Sequence, residues 1–214
     1  MKKYKGWYLP HSEEHFINYL KYHNTVEYQK EQRKMSLSFL ERKRTAIDIG
    51  ANVGFWAKDL CEIFNEAILF EPYKLNIECL KKNLENYQNF QIIDCALSNK
   101  IGSGELYIND EKGLGANSLV PSHGITKMEN IQLNKLDDFE FQNVDYIKID
   151  VQFHELEVIE GSINTLKSNN PILCIEAARR NEEELSYVKK FITILENLNY
   201  KIIGKHKKEL FFKK

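Results

Sequence analysis

Two segments of the sequence combine residue types that could hold a nucleoside-containing ligand. The first, Asp48-Ile-Gly-Ala-Asn-Val-Gly54, follows a predicted strand and precedes a predicted helix. Its glycines allow a tight turn and a close approach of a ligand to the backbone. The helix N-terminus adds unpaired N–H groups and a partial positive potential. The second is Glu71, which ends the next predicted strand 23 residues after Asp48 and is placed to accept hydrogen bonds from ribose hydroxyls.

The glycine turn lacks the features of the common nucleotide sites. Asn52 stands where the dinucleotide fingerprint G-x-G-x-x-G has its second glycine, and a large residue there would crowd a pyrophosphate. The sequence contains neither a Tyr followed by a Lys four positions later nor the Walker motif G-x-x-x-x-G-K-[ST]. These absences favour S-adenosylmethionine over NAD or ATP as the ligand.

The elements that would position these residues alternate from residue 45 onward. Apolar runs predict strands at 45–48, 67–71, 90–96, 146–150 and 172–176, and amphipathic patterns predict helices at 53–64, 75–84 and 156–168, with a further helix capped by Asn181. Such alternation predicts an α/β fold with a mostly parallel sheet and helices on both faces. Two final strands, at 200–203 and 210–212, should be antiparallel to each other.

Two regions are less regular. Residues 1–44 are predicted to be an N-terminal helical extension, with one helix capped by Ser12 and a second over 25–40. Trp7, Tyr8 and His15 could belong to a lid over the site. Residues 98–135 contain Gly102, Gly104, Gly113, Gly115 and Gly124 and one predicted strand, 105–108. This region is either a substrate-recognition loop or a plain surface excursion.

Several of these segments together resemble one family. Ala46-Ile-Asp-Ile-Gly-Ala-Asn-Val-Gly54 looks like motif I of the FkbM-type methyltransferases, and Phe70-Glu-Pro72 resembles the segment after their second strand. Other similar segments are Cys95-Ala-Leu-Ser-Asn99, Asn117-Ser-Leu119, Leu136-Asp-Asp-Phe139, 144–151, 154–158 and Ile175-Glu176. The family usually has glycine at the position of Phe153, where an aromatic side chain is expected to narrow the acceptor pocket or to stack on a substrate.

The resemblance implies a Rossmann-like class I methyltransferase fold, with a seven-stranded, mostly parallel sheet and a seventh strand inserted antiparallel. Residues 45–214 would be the methyltransferase domain. The resemblance also implies an S-adenosylmethionine site, made of Asp48, Gly50, Asn52, Gly54, Phe55, Glu71, Pro72, Ala96 and Asp150. In that site Gly50, Asn52 and Gly54 would border the methionine part, Glu71 would bind the ribose, and Ala96 would lie near the adenine.

The candidate catalytic residues are Asp150, His154 and Glu176. Asp150 and Glu176 end predicted strands, so both should face the carboxyl edge of the sheet, where open α/β sheets bind ligands. His154 is the preferred general base because a neutral imidazole is available near pH 7; a surface or helix-capping histidine is the alternative. Asp150 would orient His154 or hold the acceptor. Glu155 is expected to bond to the backbone near a helix start.

Composition narrows the functional classes. The formal net charge of the 214 residues is −1, whereas dedicated nucleic-acid binders usually have a basic excess. Four scattered cysteines without a C-x-x-C pair predict buried, reduced thiols, and no metal set is expected. Because no apolar run reaches the ~20 residues of a membrane span and Met1–Pro10 has no apolar signal region, we expect a cytoplasmic protein that acts apart from membranes.

The sequence therefore predicts a methyltransferase that uses S-adenosylmethionine to methylate a hydroxyl of a small molecule or a sugar. A ribose 2′-O-methyltransferase acting on nucleic acid, a non-catalytic S-adenosylmethionine-binding module and a dehydrogenase are the alternatives. Amine methylation of nucleic acid is disfavoured, because Asp150-Val-Gln-Phe153 stands where an Asn/Asp-Pro-Pro-aromatic motif would be expected. The sequence leaves the acceptor and the oligomeric state open.

Overall fold

The computed structural model, which describes residues 1–109, 117–121, 125–177 and 181–214, consists of alternating strands and helices. The described strands are β1 (Lys2–Tyr4), β2 (Trp7–Leu9), β3 (Thr45–Ile49), β4 (Glu66–Phe70), β5 (Phe90–Ile93), β6 (Ala96–Leu97), β7 (Gly102–Ile108), β8 (Lys127–Asn134), β9 (Val144–Ile149), β10 (Ile172–Glu176), β11 (Lys201–His206) and β12 (Glu209–Lys213). The described helices are α1 (His15–Tyr22), α2 (Lys30–Leu37), α3 (Phe55–Ile63), α4 (Lys74–Asn83), α5 (Glu155–Glu160), α6 (Ile163–Asn169) and α7 (Glu182–Asn197), with a 3₁₀ helix at Leu136–Phe139.

The central sheet has the predicted topology. Among the described residues its seven strands lie in the order β11-β12-β10-β9-β3-β4-β5. The pairs from β10 through β9, β3 and β4 to β5 are parallel, whereas β12 is antiparallel to both β10 and β11. Both the mostly parallel sheet and its inserted antiparallel strand are therefore confirmed.

Helices cover both faces of the sheet, which explains the continuous apolar strands. All five residues of β3 and all six of β9 are buried, as expected for parallel strands covered on both sides. Ile47 and Ile49 of β3 pack with residues of α5, α6 and α7. Ala46 and Tyr146 pack on the other face, with residues of α3 and α4. The strands end at one common edge, and that edge positions the site.

The N-terminal region differs in detail from its prediction. It begins with a hairpin, β1 paired antiparallel with β2, in addition to two helices. Ser12 is not the N-cap that we predicted, because α1 begins at His15 and the buried Glu13 carboxylate accepts the backbone N–H of Phe16 at 2.8 Å. The second helix is shorter than 25–40, because Gln29 is in the left-handed conformation at φ +51° immediately before Lys30.

Two core predictions also had wrong boundaries. The helix predicted over 156–168 is two helices, which meet at Gly161 and Ser162. A Cβ atom on Gly161 would lie 2.0 Å from the carbonyl oxygen of Ser98, so the chain bends where it passes close to another backbone. The strand predicted over 90–96 ends at Ile93, and β6 belongs instead to a separate three-stranded sheet with β8 and β7.

The glycine-rich region contains more sheet than predicted. The strand predicted at 105–108 begins at Gly102, and its antiparallel partner β8 was not foreseen from the sequence. The side chains of β8 alternate weakly between exposed and half-buried positions, so its polar sequence carries little strand signal. Gly113, Gly115, Gly124 and His123 lie outside the described residues.

Gly54→Ala is expected to destabilise the fold more than Gly6→Ala. Both glycines have positive φ, +100° and +93°, but a Cβ on Gly54 would lie 2.7 Å from Leu80 Cδ1, whereas none of the described atoms lies within 4 Å of a Cβ on Gly6. We expect a loss of about 1–2 kcal/mol for Gly6→Ala from backbone strain, and roughly 1–3 kcal/mol more for Gly54→Ala from overpacking. Chemical denaturation measures both, and equal losses would contradict the contact between α3 and α4 at this glycine.

Candidate active site

A cavity of about 1000 Å³ lies at the carboxyl edge of the central sheet. Its walls include Gly50 after β3, Glu71 after β4, Asp150 after β9 and Glu176 at the end of β10. Open parallel sheets bind ligands at this edge, and the volume lies within the range of about 300–1,000 Å³ that is usual for small-molecule sites.

The turn after β3 requires glycine at position 50. Gly50 has φ +83°, and a Cβ there would lie 2.1 Å from the carbonyl oxygen of Asp150. The backbone N–H groups of Gly50 and Ala51 both donate to the carbonyl of Phe70 at 3.0 Å. Asn52 follows in the left-handed region at φ +52°, a conformation that asparagine tolerates well. The turn therefore packs against both neighbouring strand ends.

Glu71 is buried at the cavity wall with only 5% of its surface exposed. Its Oε2 accepts the backbone N–H of Asn52 at 2.8 Å, and its Oε1 accepts the backbone N–H of Tyr73 at 3.0 Å and Asn76 Nδ2 at 3.2 Å. Burial raises the pKa of Glu71 to about 7, although these three donors oppose the shift. Glu71 therefore joins the turn after β3 to the start of α4.

A buried ion pair lies directly beneath the turn. Lys148 of β9 places its Nζ 3.1 Å from Asp48 Oδ1, 3.2 Å from the carbonyl oxygen of Gly50 and 3.9 Å from Asp150 Oδ2. Burial disfavours the charge of Lys148, but Asp48 and Asp150 outweigh burial and raise its pKa. Asp48 is fully buried and does not line the cavity, so it acts on the site through Lys148.

Gln152 joins the two acids at the strand ends. Its Nε2 donates to Asp150 Oδ1 and to Glu176 Oε2, both at 2.8 Å. Burial, and then the charge of Asp150, raises the pKa of Glu176 to about 9. The structure therefore brings together Asp150 and Glu176 through a residue that sequence reasoning did not select.

The backbone of the turn that follows β9 is strained. Gln152 and Phe153 have successive positive φ values of +53° and +70°. Phe153 occupies the position where the family that the sequence resembles usually has glycine. The left-handed conformation costs a bulky residue about 1–2 kcal/mol. Glu155 closes the turn as expected, since its Oε1 accepts the backbone N–H groups of Val151 at 3.2 Å and Phe153 at 3.3 Å.

His154 lines the cavity, and its two ring nitrogens lie near Ser98 and Glu157 rather than near Asp150 or Glu176. Nε2 lies 3.0 Å from Ser98 Oγ, and Nδ1 lies 3.6 Å from Glu157 Oε2. Burial lowers the pKa of His154, although Glu157 opposes the shift, so the ring is neutral near pH 7. It occupies the N-cap position of α5 without a side-chain capping bond.

Most of the residues selected from the sequence meet at the cavity. Those that line it are Gly50, Asn52, Phe55, Glu71, Pro72, Ala96, Asp150, His154 and Glu176. Gly54 does not line it and instead packs against α4. The N-terminal region contributes Phe16, Tyr19 and Tyr28, and His15 also lines the cavity, whereas Trp7 contacts it only through Phe55, with 4.3 Å between the ring centroids.

Sequence reasoning missed Lys148, Gln152, Tyr28 and Glu209, all of which line the cavity. Lys148 carried a signal, because a lysine inside a buried apolar strand requires a charged partner. Glu209 carried no sequence signal, because its position depends on how β12 inserts between β10 and β11. Within the described ranges, no cluster of three or more His, Cys, Asp or Glu side chains could hold a metal ion.

The sequence profile of the Methyltransferase FkbM domain matches residues 48–202, most of the chain. The chain belongs to the FkbM methyltransferase family. The matched range begins at Asp48 and includes Glu71, Asp150, Gln152 and Glu176, so the FkbM domain contains the cavity's sheet edge. The resemblance drawn from the motifs is thereby confirmed. No curated protein matches the sequence significantly.

Solved structures show the same fold at low sequence identity. A methyltransferase FkbM from Methylobacillus flagellatus aligns with a TM-score of 0.60 and 17% identity over 83% of this chain and 45% of that chain. The present chain thus spans less than half the length of that relative. A putative methyltransferase from Streptococcus mutans in complex with SAH aligns with a TM-score of 0.51 and 10% identity, over 88% of this chain and 97% of that one. The fold is therefore that of the Rossmann-like class I methyltransferases.

Glu155→Gln is expected to reduce the pH dependence of stability. The pKa of Glu155 is raised by burial from an ordinary 4.5 to about 8. Its protonated form therefore contributes stability that is present below pH 4.5 and is lost as the pH rises through about 8. The amide oxygen of glutamine can accept the same two backbone N–H groups without titrating. Between about pH 5 and 9 the variant should lose on the order of 4 kcal/mol less than wild type.

Denaturation midpoints across this pH range measure the effect. Glu78→Gln, which changes an exposed carboxylate on α4, is the matched control and should keep the wild-type pH dependence. Superimposable curves for wild type and Glu155→Gln would show that Glu155 does not titrate in this way.

Proposed function

We propose that this protein is an S-adenosylmethionine-dependent methyltransferase that acts on a hydroxyl of a small molecule or a sugar. The observation that carries the proposal is the single cavity wall that runs from Gly50 and Glu71, on one side, to the linked Asp150 and Glu176 on the other. One side suits a nucleoside and an amino acid, and the other suits a hydroxyl that must lose a proton. All four cysteines are free and buried, which supports our placing the protein in the reducing cytoplasm.

The residues on the first side fit S-adenosylmethionine. Glu71 Oε2 accepts one protein hydrogen bond and a carboxylate oxygen can accept two, so a ribose hydroxyl can donate to it. Beside it, Asn76 Oδ1 is buried with no partner among the described atoms, although Asn76 lines the cavity. Ala96 offers a small apolar wall for an adenine ring. In our proposal Gly50, Asn52 and Phe55 border the methionine part. Asp48 does not border the cofactor and contributes only as the partner of Lys148.

When bound, the cofactor would supply an activated methyl group on a sulfonium sulfur. The chain itself must then align the acceptor oxygen and remove its proton. Asp150 is our candidate for this task, because it lines the cavity and Gln152 holds its Oδ1 toward Glu176. The raised pKa of Glu176, about 9, keeps this acid protonated at neutral pH. Glu176 can therefore hold the acceptor as a hydrogen-bond donor, beside an Asp150 carboxylate that receives the proton.

His154, the general base that the sequence analysis preferred, is the alternative proton acceptor. Its lowered pKa keeps it neutral, which a base requires. Its hydrogen bond to Ser98, two residues after Ala96, favours a different task in which it supports the wall on the adenine side. The two assignments predict different variant kinetics.

Glu71→Ala is expected to weaken binding of S-adenosylhomocysteine about 10- to 100-fold, because a hydrogen bond to a charged group contributes about 1.5–3 kcal/mol. Titration calorimetry measures the change, and a thermal melt checks that the variant is folded. Glu66→Gln removes an exposed carboxylate at the amino end of β4 and should bind like wild type. If wild type produced no heat with S-adenosylhomocysteine, or a folded Glu71→Ala bound it equally well, the proposed cofactor site would be refuted.

Asp150→Asn is expected to lower turnover of labelled S-adenosylmethionine by about 10²- to 10⁴-fold with a panel of sugars and hydroxylated small molecules, as for loss of a general base. His154→Ala should lower turnover less and should leave the acidic limb of the pH–rate profile in place. The reverse pattern, with nearly normal Asp150→Asn and inactive His154→Ala, would identify His154 as the base.

A further inference from the structure

The acceptor end of the cavity is lined by three acids, and one of them was not implicated by any motif. Asp150 and Glu176 are joined through Gln152. Glu209, the first residue of β12, also lines the cavity. It is paired directly opposite Glu176 in the antiparallel register of β10 and β12. Like charges at directly opposed positions destabilise a sheet, so this arrangement requires compensation.

Few protein groups stabilise a negative charge on the Glu209 carboxylate. Only 5% of its surface is exposed, and its Oε2 is buried without a hydrogen-bond partner among the described atoms. Its Oε1 accepts one long hydrogen bond, 3.4 Å from Gln29 Nε2. Gln29 is itself held by Trp56, whose Nε1 donates to Gln29 Oε1 at 2.7 Å. A buried carboxylate with an unused oxygen is costly unless a ligand completes it.

The described cations near Glu209 pair with other groups. Lys148 is bound to Asp48 and to the Gly50 carbonyl. Lys208 lies 3.3 Å from Glu176 Oε1, but its side chain is 57% exposed. Lys207 lines the cavity beside Lys208. Within the described part of the chain, no lysine or arginine forms an ion pair with Glu209.

Aromatic rings contribute to the lining of the same cavity. Tyr28, Tyr19, Trp56 and Phe153 all line the cavity. Burial, and then the charges of Asp150, Glu176 and Glu209, raises the pKa of Tyr28, so the Tyr28 ring lies within the field of all three acids. Ring faces attract cations, most strongly where water is excluded. Buried carboxylates and aromatic rings together are the chemistry that recognises an ammonium group.

We propose that the acceptor is a hydroxylated molecule carrying a protonated amine, and that the amine binds at Glu209 and Glu176 beside the ring of Tyr28. This inference rests on the proposed function, since it names the class of the acceptor. The amine anchors the acceptor at β12, and the hydroxyl to be methylated points toward Asp150.

The protonation of the two opposed acids agrees with this proposal. Burial raises the pKa of Glu209 to about 7, and burial with the charge of Asp150 raises that of Glu176 to about 9. A bound ammonium would stabilise the carboxylate form of Glu209 and displace its proton, whereas Glu176, with the higher pKa, stays protonated. Binding should therefore release protons near neutral pH, so its heat should depend on the ionisation enthalpy of the buffer.

The experiment compares D-glucosamine with D-glucose on the protein saturated with S-adenosylhomocysteine. Titration calorimetry near pH 7, where the amine is still largely charged and Glu209 is about half ionised, should show binding at least about tenfold tighter for glucosamine, as expected for one charge-assisted hydrogen bond. Glu209→Gln keeps the size and one acceptor oxygen of the side chain, and it should remove this preference. Glu66→Gln, at the opposite edge of the sheet, should retain the preference.

Equal responses to the two sugars on wild-type protein, whether both bind or neither binds, would overturn the inference without any variant. A response to Mg²⁺ that glucosamine cannot displace would overturn it in favour of a metal site. A glucosamine preference that survives in folded Glu209→Gln would also overturn it. Failure of S-adenosylhomocysteine to bind wild type would instead refute the proposed function, so the two failures can be distinguished.

Discussion

The site depends on the buried ammonium of Lys148 and its contacts. From the middle of the sheet it contacts the Asp48 carboxylate and the Gly50 carbonyl, and it lies near Asp150, so one cation ties together the ends of β3 and β9. Removal of one member of such a buried pair leaves an uncompensated charge and is strongly destabilising. The same cation fixes the glycine turn on one side of the cavity and an acid on the other. The proposed cofactor side and the proposed acceptor side are therefore not independent of each other.

The parts of this arrangement that local sequence can predict are those made by consecutive residues. The apolar runs identified the parallel strands, and residues directly after them, such as Gly50, Glu71 and Asp150, meet at one edge because parallel strands end together. The N-cap predicted at Asn181 is confirmed, since its side chain accepts the N–H of Glu184 at 2.8 Å. These predictions needed only periodicity and the geometry of a βαβ unit.

The remaining features depend on contacts between distant segments. Ser12 failed as a cap because α1 begins only at His15, and the buried Glu13 carboxylate accepts the N–H of Phe16 instead. Glu209 enters the cavity because β12 inserts beside β10, and Gln152 was selected by no motif although it bridges two strand ends. The orientation of His154 toward Ser98 depends on where α5 packs. Sequence patterns name residue types at such positions but do not identify their partners.

The contact between Gln29 and Glu209 joins residues 180 positions apart, and it has a kinetic consequence. Closing so long a loop is entropically unfavourable, and contacts of large sequence separation slow folding. The walls built from β3, β4 and their helices can form early from nearby residues. We expect the end of the cavity at Glu209 to form only after β12 has been synthesised and inserted, so a ligand that contacts both ends would bind only to the fully folded chain.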